Sequence, residues 1–368
     1  MGNKQNKDII SENDSSNIYY NKDDNKDDNY NDTVLKYNDR EFIYSLKPYI
    51  ATKDNILDKL HDNGIAVVKD VLNDKEIEEM NNGMWDNLEF LTKNFEIPIN
   101  RNNKNTWINY EKLLPVKSML LQYWKIGHAQ YVWNLRQNEK IVEIFSKIYE
   151  CLNSELITSF DGVAYHLPNN NPITINGYYN DDDWLHLDQS YSKPNFCCVQ
   201  GFVTGKNILP GDATLTFLEK SNRYHKKIAE TLNINRESDW NVMEERHLEF
   251  YTNNGCKRKN IICPAGSMIL WDSRTVHAGQ QPLITRKKSN IRNIAYICMM
   301  PKLYTTEDII EKRISAFKEM RMTTHWATQC VLFPKTPRVY DEKILPNVPE
   351  MPKPKLNNLG LNLVGINI

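Results

Sequence analysis

At 368 residues the chain exceeds one typical domain, although β-rich folds with helical additions reach this length as a single unit, so one or two domains are expected. Apolar residues at 40 % and aromatics at 10 % suffice for a core, while 46 Lys plus Arg against 47 Asp plus Glu leave a net charge of -1, which excludes the basic face of a nucleic-acid-binding protein and any electrostatic pull toward an anionic membrane. Seven scattered cysteines without CxxC spacing exclude a disulfide framework or zinc knuckle, and the lack of a long apolar stretch excludes a signal peptide or transmembrane helix, so a cytoplasmic protein with a small-molecule partner is expected.

Residues 1 to 40 are dominated by Asn, Asp, Lys and Ser, as in NKDDNKDDNYND, and bury too little surface to offset ordering entropy; a disordered tail is expected there. Residues 41–368 read as one domain. Its first part, to about residue 154, is expected to be a helical support with one early strand: Asn55–His61 helical, a break at Gly64, Ile65–Val68 a strand, then helices over Lys75–Phe95, with Asn73 and Asp74 as cap candidates, and over Val132–Leu152. From about 155 to 301 short strand candidates follow one another (LITSF, VAYHL, WLHLDQS, FCCVQGFV, ATLTFL, IICP, SMILW, NIAYICMM), separated by Pro- and Gly-containing turns, which makes the body mainly β. Residues 302–368 return to helix over Glu307–Met322 and end in a Pro-rich strap over Pro334–Pro354.

Within the β-body, Trp184-Leu-His186-Leu-Asp188-Gln-Ser190 alternates like a strand, so an imidazole and a carboxylate two residues apart share a face. A later histidine from a facing strand, His277 in Trp271-Asp-Ser-Arg-Thr-Val-His277, completes a 2-His-1-carboxylate metal site, which leaves positions open for a cosubstrate and O2. A second pair of this spacing, His247-Leu-Glu249, lies in a charged run and ranks below it. Arg292 opens a strand beyond His277; its guanidinium matches a carboxylate such as the distal one of 2-oxoglutarate, with Arg274 and Arg286 as rivals.

With these motifs, the chain resembles the phytanoyl-CoA dioxygenase family. The resemblance covers most of the folded part: Asp62-Asn-Gly-Ile-Ala-Val-Val-Lys-Asp-Val-Leu72, Ser159-Phe-Asp-Gly162, Leu185-His-Leu-Asp-Gln-Ser190, Val199-Gln-Gly201, Pro210-Gly-Asp-Ala-Thr-Leu-Thr-Phe-Leu218 and Leu270-Trp-Asp-Ser-Arg-Thr-Val-His277. It implies a double-stranded β-helix, that is, a jelly-roll, cupin-like core. It also implies Fe(II) held by His186, Asp188 and His277, 2-oxoglutarate anchored by Arg292, and O2 as oxidant.

Two departures from the family pattern stand out. Ala278-Gly279 follows the distal histidine where relatives often carry a small hydroxyl residue, so Gln189 or Thr204 would have to help hold 2-oxoglutarate. Lys220-Ser-Asn-Arg-Tyr-His225 is a loose version of a Gly-Ser-His turn, and His225 reads as a solvated loop histidine without a chemical role. Trp107, Tyr110, Trp124, Tyr178, Tyr179 and the Thr323-Thr-His-Trp326 segment are pocket candidates, with His325 placed near the active site. The expected activity is hydroxylation of a small organic substrate with release of succinate and CO2. The alternatives are a catalytically silent β-helix binding module and a metal enzyme that does not use 2-oxoglutarate.

Overall fold

Regular structure begins inside the polar N-terminal run. In this computed structural model, which describes residues 32–113, 119–168, 184–286, 288–337 and 345–366, Thr33–Tyr37 pairs with Arg40–Ser45 as an antiparallel hairpin. The turn residues Asn38 and Asp39 have φ of 47° and 58°, the left-handed pair of a two-residue type I′ turn, which these short polar side chains tolerate. The expected tail therefore ends before residue 33 rather than at 40: Thr33, Leu35 and Tyr37 alternate with exposed residues and supply one partly buried face. The rest of the expected tail, residues 1–31, lies outside the described residues.

Two sheets carry the molecule. The larger runs β1 (Thr33–Tyr37), β2 (Arg40–Ser45), β11 (Arg258–Ile261), β9 (Thr214–Leu218), β13 (His277–Gln280), β7 (His186–Leu187), β10 (Asn241–Val242). The six-stranded sheet runs β3 (Ile65–Val68), β12 (Met268–Asp272), β8 (Val199–Thr204), β14 (Arg292–Tyr296), β6 (Val163–His166), β4 (Leu120–Leu121), and β5 (Leu156–Thr158) pairs with β15 (Met299–Pro301). Only β11 with β2 is parallel among the described pairs. Successive strands change sheet: β6, β8, β12 and β14 lie in one, β7, β9, β13 in the other. Neighbours in space thus come from distant sequence. The central strands β8, β9 and β12 are buried along their whole length, as their near-continuous apolar runs require.

Helices α1 (Ile56–Asn63), α2 (Asp74–Leu91), α3 (Gln130–Arg136) and α4 (Glu139–Tyr149) precede the body. Met80, Met84, Leu88 and Leu91 of α2 share one apolar cluster with Val68, Val203, Leu270 and Ala295 of the six-stranded sheet, so this helix is a support packed on that sheet. Its start is a full capping box: Asn73 accepts from the Glu76 amide at 3.0 Å and the Glu76 carboxylate accepts from the Asn73 amide at 2.8 Å. The stretch expected as one helix over Val132–Leu152 is two, because the Asn138 side chain caps Lys140 N at 3.0 Å and restarts the chain there. Gly64, at φ 80°, ends α1 where a Cβ would meet Thr275 Oγ1 at 2.5 Å.

Other expectations change in detail. The support contains four strands, not one, since β1, β2 and β4 join the sheets. NIAYICMM splits into β14 and β15, and the body includes two helices, α5 (His225–Thr231) and α6 (Glu245–Asn253). The C-terminal helix is α7 (Glu307–Lys318), and beyond the strap, whose residues 338–344 lie outside the described ones, α8 (Asn358–Val364) forms on an Asn357 cap that accepts from Gly360 N at 2.8 Å. Arg313 of α7 is fully buried and donates to Thr158 O, Ala327 O and Leu363 O at 2.6, 2.7 and 3.0 Å, which fastens the 323–327 segment to β5 and α8.

Candidate active site

His186 and His277 face each other directly in the register of β7 and β13, and Asp188 follows one residue after β7. All three are buried, and one ligand atom from each lies within 4.8 Å of the others. His186 Nε2 is 3.6 Å from Asp188 Oδ1, and His277 Nε2 is 3.3 Å from Asp188 Oδ2. Each imidazole uses its other nitrogen on the backbone: His186 Nδ1 is 3.0 Å from Trp184 O and His277 Nδ1 is 2.9 Å from Thr275 O. Those carbonyls only accept, so Nδ1 carries the proton and Nε2 presents a lone pair to the shared point. The arrangement suits a divalent cation.

Charge at the site agrees. Burial alone would raise the Asp188 carboxyl, but the His186 and His277 imidazoles outweigh it and hold it well below the usual carboxylate range. Burial and the neighbouring His186 push His277 down, which favours the neutral, ligating imidazole. Gln200 of β8 donates from Nε2 to Asp188 Oδ2 at 2.9 Å and orients the carboxylate. The Trp184 ring stacks on His186 at 4.8 Å between centroids, and Trp271 lies 5.1 Å from His277.

These residues open onto a cavity of about 570 Å³ lined also by Asp161, Tyr296, Trp240, His325 and Trp326. Arg292, at the start of β14, is buried, donates to Ala213 O at 3.1 Å and lies 5.3 Å from the Phe202 ring centroid. It interacts electrostatically with Tyr296 of the same strand, which lines the cavity. Its Nε has no partner, and no carboxylate pairs with it among the described residues. The rival arginines are committed: Arg274 to Asp272 at 2.6 Å and Arg286 to Asp212 at 3.1 Å.

No family model matches the chain. Among curated proteins, the Ava biosynthesis cluster protein O of Aspergillus versicolor is 26 % identical over 300 residues, covering 74 % of this chain and 87 % of that protein. Among solved structures, a Salmonella typhimurium LT2 protein named as an oxidoreductase superposes with a TM-score of 0.50 at 12 % identity, over 85 % of this chain and 82 % of that one. That likeness shows a shared fold. The epimerase SnoN, solved with Fe3+, alpha ketoglutarate and nogalamycin RO, gives a TM-score of 0.42 at 13 % identity, over 68 % of this chain and 83 % of its own.

Other sequence candidates fall elsewhere. Gln189 is fully buried but turned away: its Nε2 donates to Lys193 O and Asn195 O, and its Oε1 accepts from Ser273 Oγ. It is not among the lining residues, and these bonds leave it no donor for the cavity. The Thr204 hydroxyl donates to Lys206 O at 2.6 Å and is likewise spent. His225 is buried rather than solvated, its Nε2 3.1 Å from Ser190 O and its ring stacked on Tyr191 at 5.0 Å, because it opens α5 against the β-body. His247 sits on α6 and accepts from Glu244 N at 3.0 Å, so its Glu249 partner forms no ligand pair with it. His325 reaches the cavity, as do Thr324 and Trp326. Trp107 and Tyr110 are core, Trp124 lines a different cavity, and Tyr178 and Tyr179 lie outside the described residues.

Sequence reasoning missed Gln200, Asp161 and Tyr296. Gln200 was within the quoted Val199-Gln-Gly201 element, and a lone amide in an otherwise apolar central strand was the available signal. Asp161 lay within the Ser159-Phe-Asp-Gly162 element and between two strand candidates, but nothing there assigned it a role.

Proposed function

We propose that this chain is an Fe(II)- and 2-oxoglutarate-dependent dioxygenase with a double-stranded β-helix (jelly-roll, cupin-like) core, related to the phytanoyl-CoA dioxygenase family, which hydroxylates a small organic substrate and releases succinate and CO2. His186, Asp188 and His277 hold the metal, and Arg292 binds the distal carboxylate of 2-oxoglutarate. The observation that carries the reading is Arg292: a buried guanidinium without a carboxylate partner among the described residues, on the same strand as Tyr296, which lines the cavity of the three candidate ligands. Leaving such a cation unpaired is costly, and an anionic cosubstrate relieves it.

Bound iron with its cosubstrate and O2 supplies the oxidising power for C–H functionalisation. The protein's own part is positional. The Trp184 and Thr275 carbonyls keep both imidazoles in the ligating tautomer, Gln200 orients Asp188, and the Trp271 and Trp240 side chains wall the site from bulk water. Retention of Asp188 as a third ligand favours hydroxylation over halide transfer, which needs an extra open position. A curated relative named for a biosynthesis cluster supports a small-molecule substrate.

The test is succinate formation by anaerobically iron-loaded protein given 2-oxoglutarate and air. Slow turnover is expected in the wild type, none in His186→Ala, and a rise of roughly tenfold or more in the 2-oxoglutarate needed by Arg292→Ala, on the scale of a lost charge-assisted pair. Turnover unaffected by either change would refute the assignment.

A further inference from the structure

Asp161 occupies the cavity wall with an unused acceptor. Its side chain is 6 % exposed as a residue, and Oδ1 takes both protein donors, Gln122 Nε2 at 3.1 Å and Gly162 N at 2.7 Å. Among the described residues nothing bonds Oδ2. Arg136, behind it, donates to the main-chain oxygens of Asp161 and Gly127, which positions the residue without neutralising the carboxylate by a direct bond. Gly162 lets the backbone pack closely on β4: a Cβ there would meet Leu121 O at 2.2 Å.

The rest of the wall sharpens the picture. Of the other carboxylates there, Asp188 faces the two histidines, and Asp239 is held by Lys193 at 2.6 Å and by Ser190 N at 3.0 Å. Among the described residues no Lys or Arg lines this cavity, whereas Trp184, Trp240, Trp271 and Trp326 do. His325 adds a buried Nε2 with no partner. A carboxylate oxygen left open in a largely buried residue gains from a donor that reaches it, and aromatic faces attract cations.

Building on the oxygenase reading, we propose that Asp161 is the specificity-determining anchor of the substrate pocket, and that the substrate is a ring-bearing molecule with a basic nitrogen whose N–H bonds Asp161 Oδ2. Among the described residues the wall carries no Lys or Arg, and Arg292, which is not a lining residue, is reserved for the cosubstrate in the oxygenase reading, so anionic substrates, acyl-CoA thioesters included, are disfavoured.

Two probes of one shape separate charge from fit: 2-(1-naphthyl)ethylamine and 2-(1-naphthyl)ethanol, titrated by calorimetry into the full chain at neutral pH without iron or 2-oxoglutarate. Wild type is expected to bind the amine at least tenfold tighter than the alcohol. Asp161→Asn, which keeps the Oδ1 acceptor for Gln122 and Gly162, is expected to bring the two within twofold. Asp188→Ala is expected to keep the preference and shows whether the metal-site carboxylate is responsible, even if the Asp161 variant does not fold. No amine preference in wild type, its survival in Asp161→Asn, its loss in Asp188→Ala, or no binding of either probe would each overturn the assignment. Succinate formation without an amine preference would remove this inference alone; an Asp161-dependent preference without succinate would remove only the oxygenase reading.

Discussion

Gln200 illustrates how much of the proposed metal site lies outside its three candidate ligands. Its amide donates to the Asp188 oxygen that also faces His277 Nε2, so Gln200→Leu frees the carboxylate to rotate while leaving every ligand in place. Iron affinity is expected to fall roughly 10- to 100-fold, as for other losses of an orienting partner, and titration with a competing chelator measures it. The three candidate ligands could be proposed from sequence because a two-residue spacing in a strand is a geometric statement about one face. Gln189 could not be placed that way, since the chain leaves β7 after Leu187 and the side chain is turned aside by its bonds with Lys193, Asn195 and Ser273. Asp161 and Gln200 were harder: their partners, Gln122 and Asp188, lie 39 and 12 positions away, and nothing local announces such contacts.

Among the elements, α7 does the most for the site from the greatest distance. Arg313 gathers carbonyl oxygens from β5, from the end of α8 and from Ala327, next to the Trp326 that lines the cavity. Burial pushes its guanidinium down to about 10, still charged at neutral pH. Arg313→Leu would strand those acceptors in the interior, at a cost of about 3 kcal/mol or more. A urea midpoint lowered accordingly checks this, and an unchanged midpoint would show the clamp to be dispensable. Elements were legible where local signals were strong, as in α2 with Asn73 and Glu76. His277 was expected on a facing strand, but the extent of β13 was not legible, because His-Ala-Gly-Gln has no β-branched residue and pairs with β9 and β7 regardless. The hairpin β1–β2 was hidden for the opposite reason: a short alternation was submerged in a polar composition.

For the molecule as a whole, stability should depend on acidity through His128. It is buried between Phe160, Phe317 and Trp133, with Nε2 2.9 Å from Arg321 O and Nδ1 accepting from Trp133 Nε1 at 3.3 Å. Burial lowers it to about 3, so the folded state refuses a proton that the unfolded chain accepts near 6.5. Nothing is lost above that value. Below it, stability falls by about 1.4 kcal/mol per pH unit until the folded pKa is reached. His225, lowered to about 4 by burial, adds to the same trend. Unfolding midpoints at pH 7 and pH 5 should therefore diverge by about 2 kcal/mol for His128 alone, a difference that His128→Asn is expected to remove. The pairing of His186 with His277 has a further effect at this scale. An ion shared by β7 and β13 staples the two ends of a chain segment about ninety residues long, so the metal is also a cross-link that the unfolded chain lacks. Any divalent cation that fits, including one unable to support oxidation, should then raise the melting temperature as its concentration rises, through an added stability of about 2.7 kcal/mol at one hundred times its Kd. The iron supply of the cell would in that case govern how long the protein survives proteolysis as well as how fast it turns over.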